Sequence, residues 1–150
     1  MDSFIEKERR KASASLWSWL LCIVPSLAGL ALWLSLHALV KIFLALSGIS
    51  TWSWDAIQTF TFLIFGLIWL ASVFFIQDGL YKAAVSGTLW SRFLFIDAVL
   101  VLLLLCARAL RMVLTAEPFS ASTVLTIAGE AVLCATLFYF YRYTRSRRSA

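Results

Sequence analysis

Four long apolar segments constrain the fold of this chain more than any other feature. They lie at residues 16–46, 56–77, 92–114 and 123–141. Each approaches or exceeds the roughly 20 residues that an α-helix needs to cross about 30 Å of hydrocarbon. Their apolar character is continuous, whereas the strands of a membrane barrel alternate over roughly ten residues. The sequence therefore predicts an all-α membrane protein, a bundle of four transmembrane helices.

The composition agrees with this prediction and bounds the domain organisation. The 150-residue chain is 62% hydrophobic and 14% charged, whereas a soluble domain carries about 25% charged residues. We expect one transmembrane domain over residues 1–150, with basic cytoplasmic tails at 1–15 and 142–150.

Lysine and arginine are unevenly distributed between the two ends of the predicted bundle. Four lie in each tail, and Lys82 and Arg92 lie in or at the edge of the connection between the second and third segments, which makes ten of the 13; the other three are Lys41, Arg108 and Arg111. Membrane proteins retain positively charged connections on the cytoplasmic side. We therefore expect a multi-pass protein of the bacterial inner membrane, with both termini in the cytoplasm.

The basic tails also indicate a partner. Dense positive charge beside an apolar segment favours anionic lipid headgroups. Nucleic acid is not expected as a partner, because no soluble domain is present to offer a basic face. The predicted headgroup contacts lie in both tails: Arg9, Arg10, Lys11, Arg142, Arg145, Arg147 and Arg148.

Ionisable residues lie inside the third and fourth apolar segments, where each is costly unless it has a partner or a function. At 100° per residue, Asp97, Arg108 and Arg111 share one face of the third helix. Glu130 lies on a polar face of the fourth helix. Because the connection between these helices is short, the two polar faces are expected to meet.

The depths of these residues predict a specific ion pair. If the hairpin is centred near Pro118, Glu130 lies about 4.5 Å from Arg108 along the helix axis, and an arginine side chain spans that distance. One interpretation is a structural bridge that joins the two helices. The alternative is a proton or ion relay, or a docking site for a charged partner helix.

Asp97 is expected to lie elsewhere, level with the aromatic end of the fourth helix. Its predicted partners are Arg92, Tyr141 or an interfacial water. Asp97 and Glu130 would then be about 12 Å apart along the axis, too far to share a proton.

Motifs for catalysis or cofactor binding are not found in the sequence. The three cysteines form no Cys-x-x-Cys pair, and His37 is the only histidine. A Ser-His-Asp pattern and a glycine-rich phosphate loop are also missing. We therefore expect no enzymatic activity, no metal and no cofactor.

Three functions are compatible with this pattern. The first is a non-enzymatic accessory or structural subunit of a larger membrane assembly, in contact with other membrane subunits or with copies of itself. The second is a small oligomeric transporter or channel that uses Asp97 and Glu130. The third is a holin or a toxin-immunity protein, which only the small size and the basic tail suggest.

The predicted orientation can be tested with fusions to alkaline phosphatase, which is active only after export. A fusion after Trp54 is expected to be active, and one after Tyr81 inactive, because positively charged connections stay in the cytoplasm. Phosphatase activity in whole cells is the measurement. The opposite activity pattern would show that the termini lie outside.

Overall fold

A computed structural model describes residues 2–48, 50–115 and 120–146. Within these residues the chain is all-helical, with α1 (Asp2–Leu46), α2 (Thr51–Val85), α3 (Leu89–Thr115) and α4 (Ala121–Ser146). Each helix contains a stretch long and apolar enough to cross a membrane. The prediction of an all-helical chain with four helices of membrane-spanning length is confirmed.

The first helix begins earlier than the apolar segment that predicted it. It starts at Asp2 instead of residue 16, so the polar N-terminal tail continues the same helix. An ion pair one turn apart supports this extension, with Lys11 Nζ 3.4 Å from Glu8 Oε1. The charged residues before residue 16 therefore end the apolar surface of α1 but do not end the helix, which continues through them to Asp2.

The second helix is also longer than predicted, 51–85 instead of 56–77. The expected loop at 78–91 is largely helical and shrinks to three residues between α2 and α3. Lys82 Nζ lies 2.6 Å from Asp78 Oδ2, one turn apart, so this pair supports helix in a segment whose charges had suggested a loop.

Gly87 ends α2 sharply. Its φ of 72° is in the left-handed region that favours glycine. The N–H of Gly87 donates to the Ala84 carbonyl at 3.3 Å, and the N–H of Thr88 donates to the Ala83 carbonyl at 2.8 Å. This pair of bonds is the Schellman motif, which satisfies the last carbonyls of a helix and turns the chain directly into α3.

The last two helices also extend beyond their predicted limits. α3 covers 89–115 instead of 92–114, and α4 covers 121–146 instead of 123–141. The Val124 N–H donates to the carbonyl of Ser120 at 3.1 Å, so α4 starts before residue 123, the first residue of the predicted segment.

The third helix is the centre of the packing. It contacts each of the other three helices, whereas α4 contacts α3 alone: in the described parts, no Cα of α4 lies within 8 Å of a Cα of α1 or α2. The buried residues of α3 recur at helical spacing, namely Asp97, Ala98, Val101, Leu104 and Ala107. The bundle is therefore a three-helix unit of α1, α2 and α3, with α4 attached to its central member.

Three parts of the chain meet at one end of this bundle. A cleft joins Arg9 and Lys11 near the start of α1 to Leu89 at the start of α3. A second cleft joins Thr88 to Tyr141 near the end of α4. The beginning of α1, the α2–α3 connection and the end of α4 therefore share an end, which we call the basic end because most lysines and arginines lie there.

Two tryptophan–glycine contacts fasten α1 to α2. The indole of Trp69 lies over Gly29, where an added Cβ would be 3.2 Å from Trp69 Cδ1. The indole of Trp33 lies over Gly66 in the same way, at 3.5 Å from such a Cβ. Trp69 Nε1 also donates to the Ser26 carbonyl at 3.1 Å. Glycine lets the two helices approach closely enough for each indole to fill the space beside the other helix.

The tighter of these contacts predicts an order of stability among glycine variants. Gly29→Ala is expected to lower the unfolding temperature in detergent, because its Cβ would displace Trp69; overpacking of this kind costs about 1–3 kcal/mol. Gly66→Ala is expected to be tolerated, because its Cβ would make an ordinary contact.

Gly129→Ala in α4 is the matched control, because a Cβ there would meet nothing within 4 Å. The melting temperatures should be compared in one detergent. Equal effects of the Gly29 and Gly129 changes would show that the Trp69 contact does not limit the packing.

Candidate functional site

The polar faces of α3 and α4 face each other. Cys134 Sγ donates to the Ala98 carbonyl at 3.8 Å, and the rings of Phe95 and Tyr141 lie 5.3 Å apart. In each pair the two residues are almost equally far along the sequence from Pro118, the predicted centre of the hairpin. Pro118 itself lies outside the described residues. The register of the second hairpin therefore brings together residues at the depths that the sequence suggested.

Arg108 and Glu130 are joined in this register. Arg108 Nε lies 3.1 Å from Glu130 Oε1, with the Arg108 side chain 40% exposed and the Glu130 side chain 14% exposed. The arginine therefore extends from a more open position to a carboxylate that is largely enclosed. Glu130 Oε2 is buried and has no hydrogen-bond partner within the described part of the chain. Arg108 thus neutralises this carboxylate but leaves one of its oxygens unsatisfied.

Asp97 lacks the protein partners predicted for it. It is 4% exposed, and its Oδ2 has no hydrogen-bond partner among the described residues. Arg92 is five residues away and so points about 140° around the helix from Asp97. The Tyr141 ring lies against Phe95 at a tilted angle, and its hydroxyl accepts from Arg145 Nη1 at 3.4 Å. The prediction that Arg92 or Tyr141 would pair with Asp97 is therefore wrong; a water partner stays a prediction.

Arg111 lies with Arg108 in a cleft between α1, α3 and α4. This cleft has a volume of about 360 Å³, and hydroxyl side chains of Ser35, Thr123 and Thr126 contribute to its wall. Arg111 is exposed and shares the cleft with the outer part of the ion pair. The end of the bundle opposite the basic end therefore carries a small polar cleft beside the Arg108–Glu130 pair.

Two buried nitrogens on α1 were not predicted from the sequence. Trp33 Nε1 and His37 Nδ1 are buried without a hydrogen-bond partner among the described residues. Both rings contact Phe62, with centroids 4.6 Å and 5.3 Å from it. The spacing of four residues placed Trp33 and His37 on one face, but nothing in the sequence indicated that this face would pack on α2.

In the described part of the chain, no group of three or more His, Cys, Asp or Glu side chains lies close enough together to hold a metal ion.

The predicted headgroup contacts lie around the basic end where the structure describes their side chains. Arg9 and Lys11 line one cleft of about 760 Å³, with Trp17 and Leu89. Arg142 and Arg145 line another on the outside of α4. Three further predicted contacts lie outside the described side chains, namely Arg10, Arg147 and Arg148.

Comparison of the chain with protein-family models, with curated proteins and with solved structures gives no significant match.

The Arg108–Glu130 pair predicts a coupled effect on stability. Glu130→Gln alone or Arg108→Gln alone is expected to lower the stability more than the double change does, because each single change leaves an unpaired charge in a region of low dielectric. Breaking a buried pair costs about 3–5 kcal/mol in soluble proteins. Polar contacts between membrane helices average about 0.6 kcal/mol, so the coupling energy between Arg108 and Glu130 is expected to lie closer to about 0.6 than to about 3 kcal/mol.

Thermal stability of the wild type, both single variants and the double variant in detergent gives this coupling. Asp78→Asn and Lys82→Gln form the control cycle, because that pair has the same charges but is 53% and 74% exposed and should couple more weakly. Strict additivity of the Arg108 and Glu130 losses would show that the pair contributes nothing.

Proposed function

We propose that this protein is a non-enzymatic accessory or structural subunit of a larger membrane assembly, in the bacterial inner membrane with both termini in the cytoplasm. The observation that carries the proposal is the position of α4, which contacts α3 alone. A helix in lipid associates through close packing and hydrogen bonds. Most of the circumference of α4 is therefore available to another membrane helix.

The side chains on the outer face of α4 support this proposal. Leu125 is 76% exposed and Val132 is 66% exposed. Small exposed residues alternate with them on the same side, with Ala128 between the two and Ala135 one turn beyond Val132. Alternating small and large side chains form the kind of surface that lets another helix pack closely.

The orientation part of the proposal is supported by charge. The beginning of α1, the α2–α3 connection and the end of α4 share the basic end, and ten of the 13 lysines and arginines lie in or beside these segments in the sequence. Positive charge of this density favours the cytoplasmic side and the anionic lipids of that leaflet.

A small transporter or channel is the second candidate function. One observation favours it: Asp97 Oδ2 and Glu130 Oε2 are buried carboxylate oxygens without partners among the described residues, and unsatisfied carboxylates at membrane depth are typical of ion or proton pathways. Against it, Glu130 is held by Arg108, and neither carboxylate lines any cleft described above. A holin or toxin-immunity role has only the size and the basic tail in its favour.

Site-specific photo-crosslinking distinguishes these functions. A photoreactive phenylalanine analogue at position 125 or 132 of α4 is expected to give a discrete adduct with a different membrane protein, identified by mass spectrometry. The same analogue at Phe75 of α2, which is 78% exposed, is the control and should give no discrete adduct. A mild-detergent pull-down of the tagged chain should recover the same partner.

The other outcomes are also informative. An adduct of this chain with itself through α4 would favour the transporter or channel. Equal labelling at positions 75 and 132, or no discrete adduct at either α4 position, would contradict the subunit proposal.

A further inference from the structure

The cleft between Thr88 and Tyr141 at the basic end, called the cavity below, has features that the general charge of the tails does not explain. It lies between the beginning of α3 and the end of α4, with a volume of about 520 Å³, a size typical of small-ligand sites. Its described lining consists of two arginines, two hydroxyl side chains and two aromatic rings: Arg92, Arg145, Thr88, Ser91, Tyr141 and Phe95.

The charge of this cavity is positive and uncompensated among the described residues. Arg92 has no ion-pair partner there, and the bond of Arg145 is to the neutral hydroxyl of Tyr141, at 3.4 Å. None of the described lining residues is acidic. Two guanidinium groups that line one cavity repel each other unless an anion lies between them. Arginine is also the side chain that best matches the geometry of a phosphate group.

The wall of the cavity changes character toward the middle of the helices. Phe95 is one turn further into α3 than Arg92, and its ring lies 5.3 Å from that of Tyr141. Phe95 remains 42% exposed. A ligand with its anionic group at the arginines would therefore meet an exposed apolar surface on the membrane side. A free phosphate compound would leave that surface unused.

The geometry points to a discrete binding site for the phosphate headgroup of an anionic phospholipid, held by Arg92 and Arg145 with the lipid chain along Phe95. The start of α3 adds to the attraction, because its first turn contains no acidic residue and a helix N-terminus favours anions. This site differs from diffuse attraction of lipids to the basic tails, since it depends on two particular arginines from different helices. It rests on the membrane insertion proposed above.

Native mass spectrometry of the full chain in detergent, titrated with dioleoylphosphatidylglycerol, tests this site. The double variant Arg92→Gln, Arg145→Gln is expected to bind the lipid about tenfold more weakly, because two charge-assisted contacts are lost. The matched control is Lys41→Gln with Lys82→Gln, which removes the same charge at two positions that are neither predicted headgroup contacts nor part of this cavity. It should change the affinity by less than about threefold.

Two further arms keep the test decisive. Arg92→Lys with Arg145→Lys keeps the charge, so it should remain folded and still lose part of the affinity, because lysine lacks the planar fork of arginine. A large excess of inorganic phosphate should not displace the lipid. Resistance to carbonate extraction, measured on the same membranes, shows separately whether the chain is inserted.

Three results would overturn the proposal. The first is an equal loss of affinity in the two Gln double variants, which would show diffuse charge attraction. The second is unchanged affinity when Arg92 and Arg145 are replaced. The third is binding of inorganic phosphate at the arginines without binding of the phospholipid, which would assign the cavity to a soluble ligand.

Discussion

Helices in a bilayer gain little from hydrophobic burial against each other, because lipid is as apolar as their side chains, so close contact and hydrogen bonds must hold them together. The first hairpin meets this requirement with two glycines that each admit an indole from the opposite helix. Trp69 lies over Gly29 and donates to a carbonyl of α1, while Trp33 lies over Gly66. These contacts make α1 and α2 a fixed unit, and α3 packs against both of its members.

The second hairpin is joined by different means. Its helices are linked by polar contacts, chiefly the Arg108–Glu130 pair and the bond from Cys134 to the Ala98 carbonyl. α4 has no other helix of the described chain against it. Attachment of α4 therefore depends on its single interface with α3, and the rest of its surface is left open to a partner. The same polar pair that secures α4 inside the chain thus determines which face of α4 is directed outward.

Features that depend only on general helix geometry could be predicted from the sequence. The four helices followed from the length of the apolar segments, and the meeting of Arg108 with Glu130 followed from periodicity and a short connection. The Trp69–Gly29 contact could not be predicted, because both residues lie in uniformly apolar segments that give no signal of the packed face. Helix ends were misjudged because charges end an apolar surface without ending a helix. The protein partners predicted for Asp97 were wrong because they were chosen by their depth along the helix axis, without regard to the direction in which Asp97 points from α3.

The two unsatisfied carboxylate oxygens connect the stability of this bundle to its function. Asp97 Oδ2 on α3 and Glu130 Oε2 on α4 are both buried and have no hydrogen-bond partner among the described residues. A buried polar atom without a hydrogen bond costs free energy. In a subunit the Arg108–Glu130 bridge would stay closed, because a partner helix packed on the outer face of α4 cannot reach oxygens that are enclosed within this chain. In a transporter, a cation would have to bind at Glu130 while Arg108 moves away, because an arginine 3.1 Å from the carboxylate competes directly with it. The two functions therefore make opposite demands on one contact: assembly keeps Arg108 on Glu130, and transport requires it to leave.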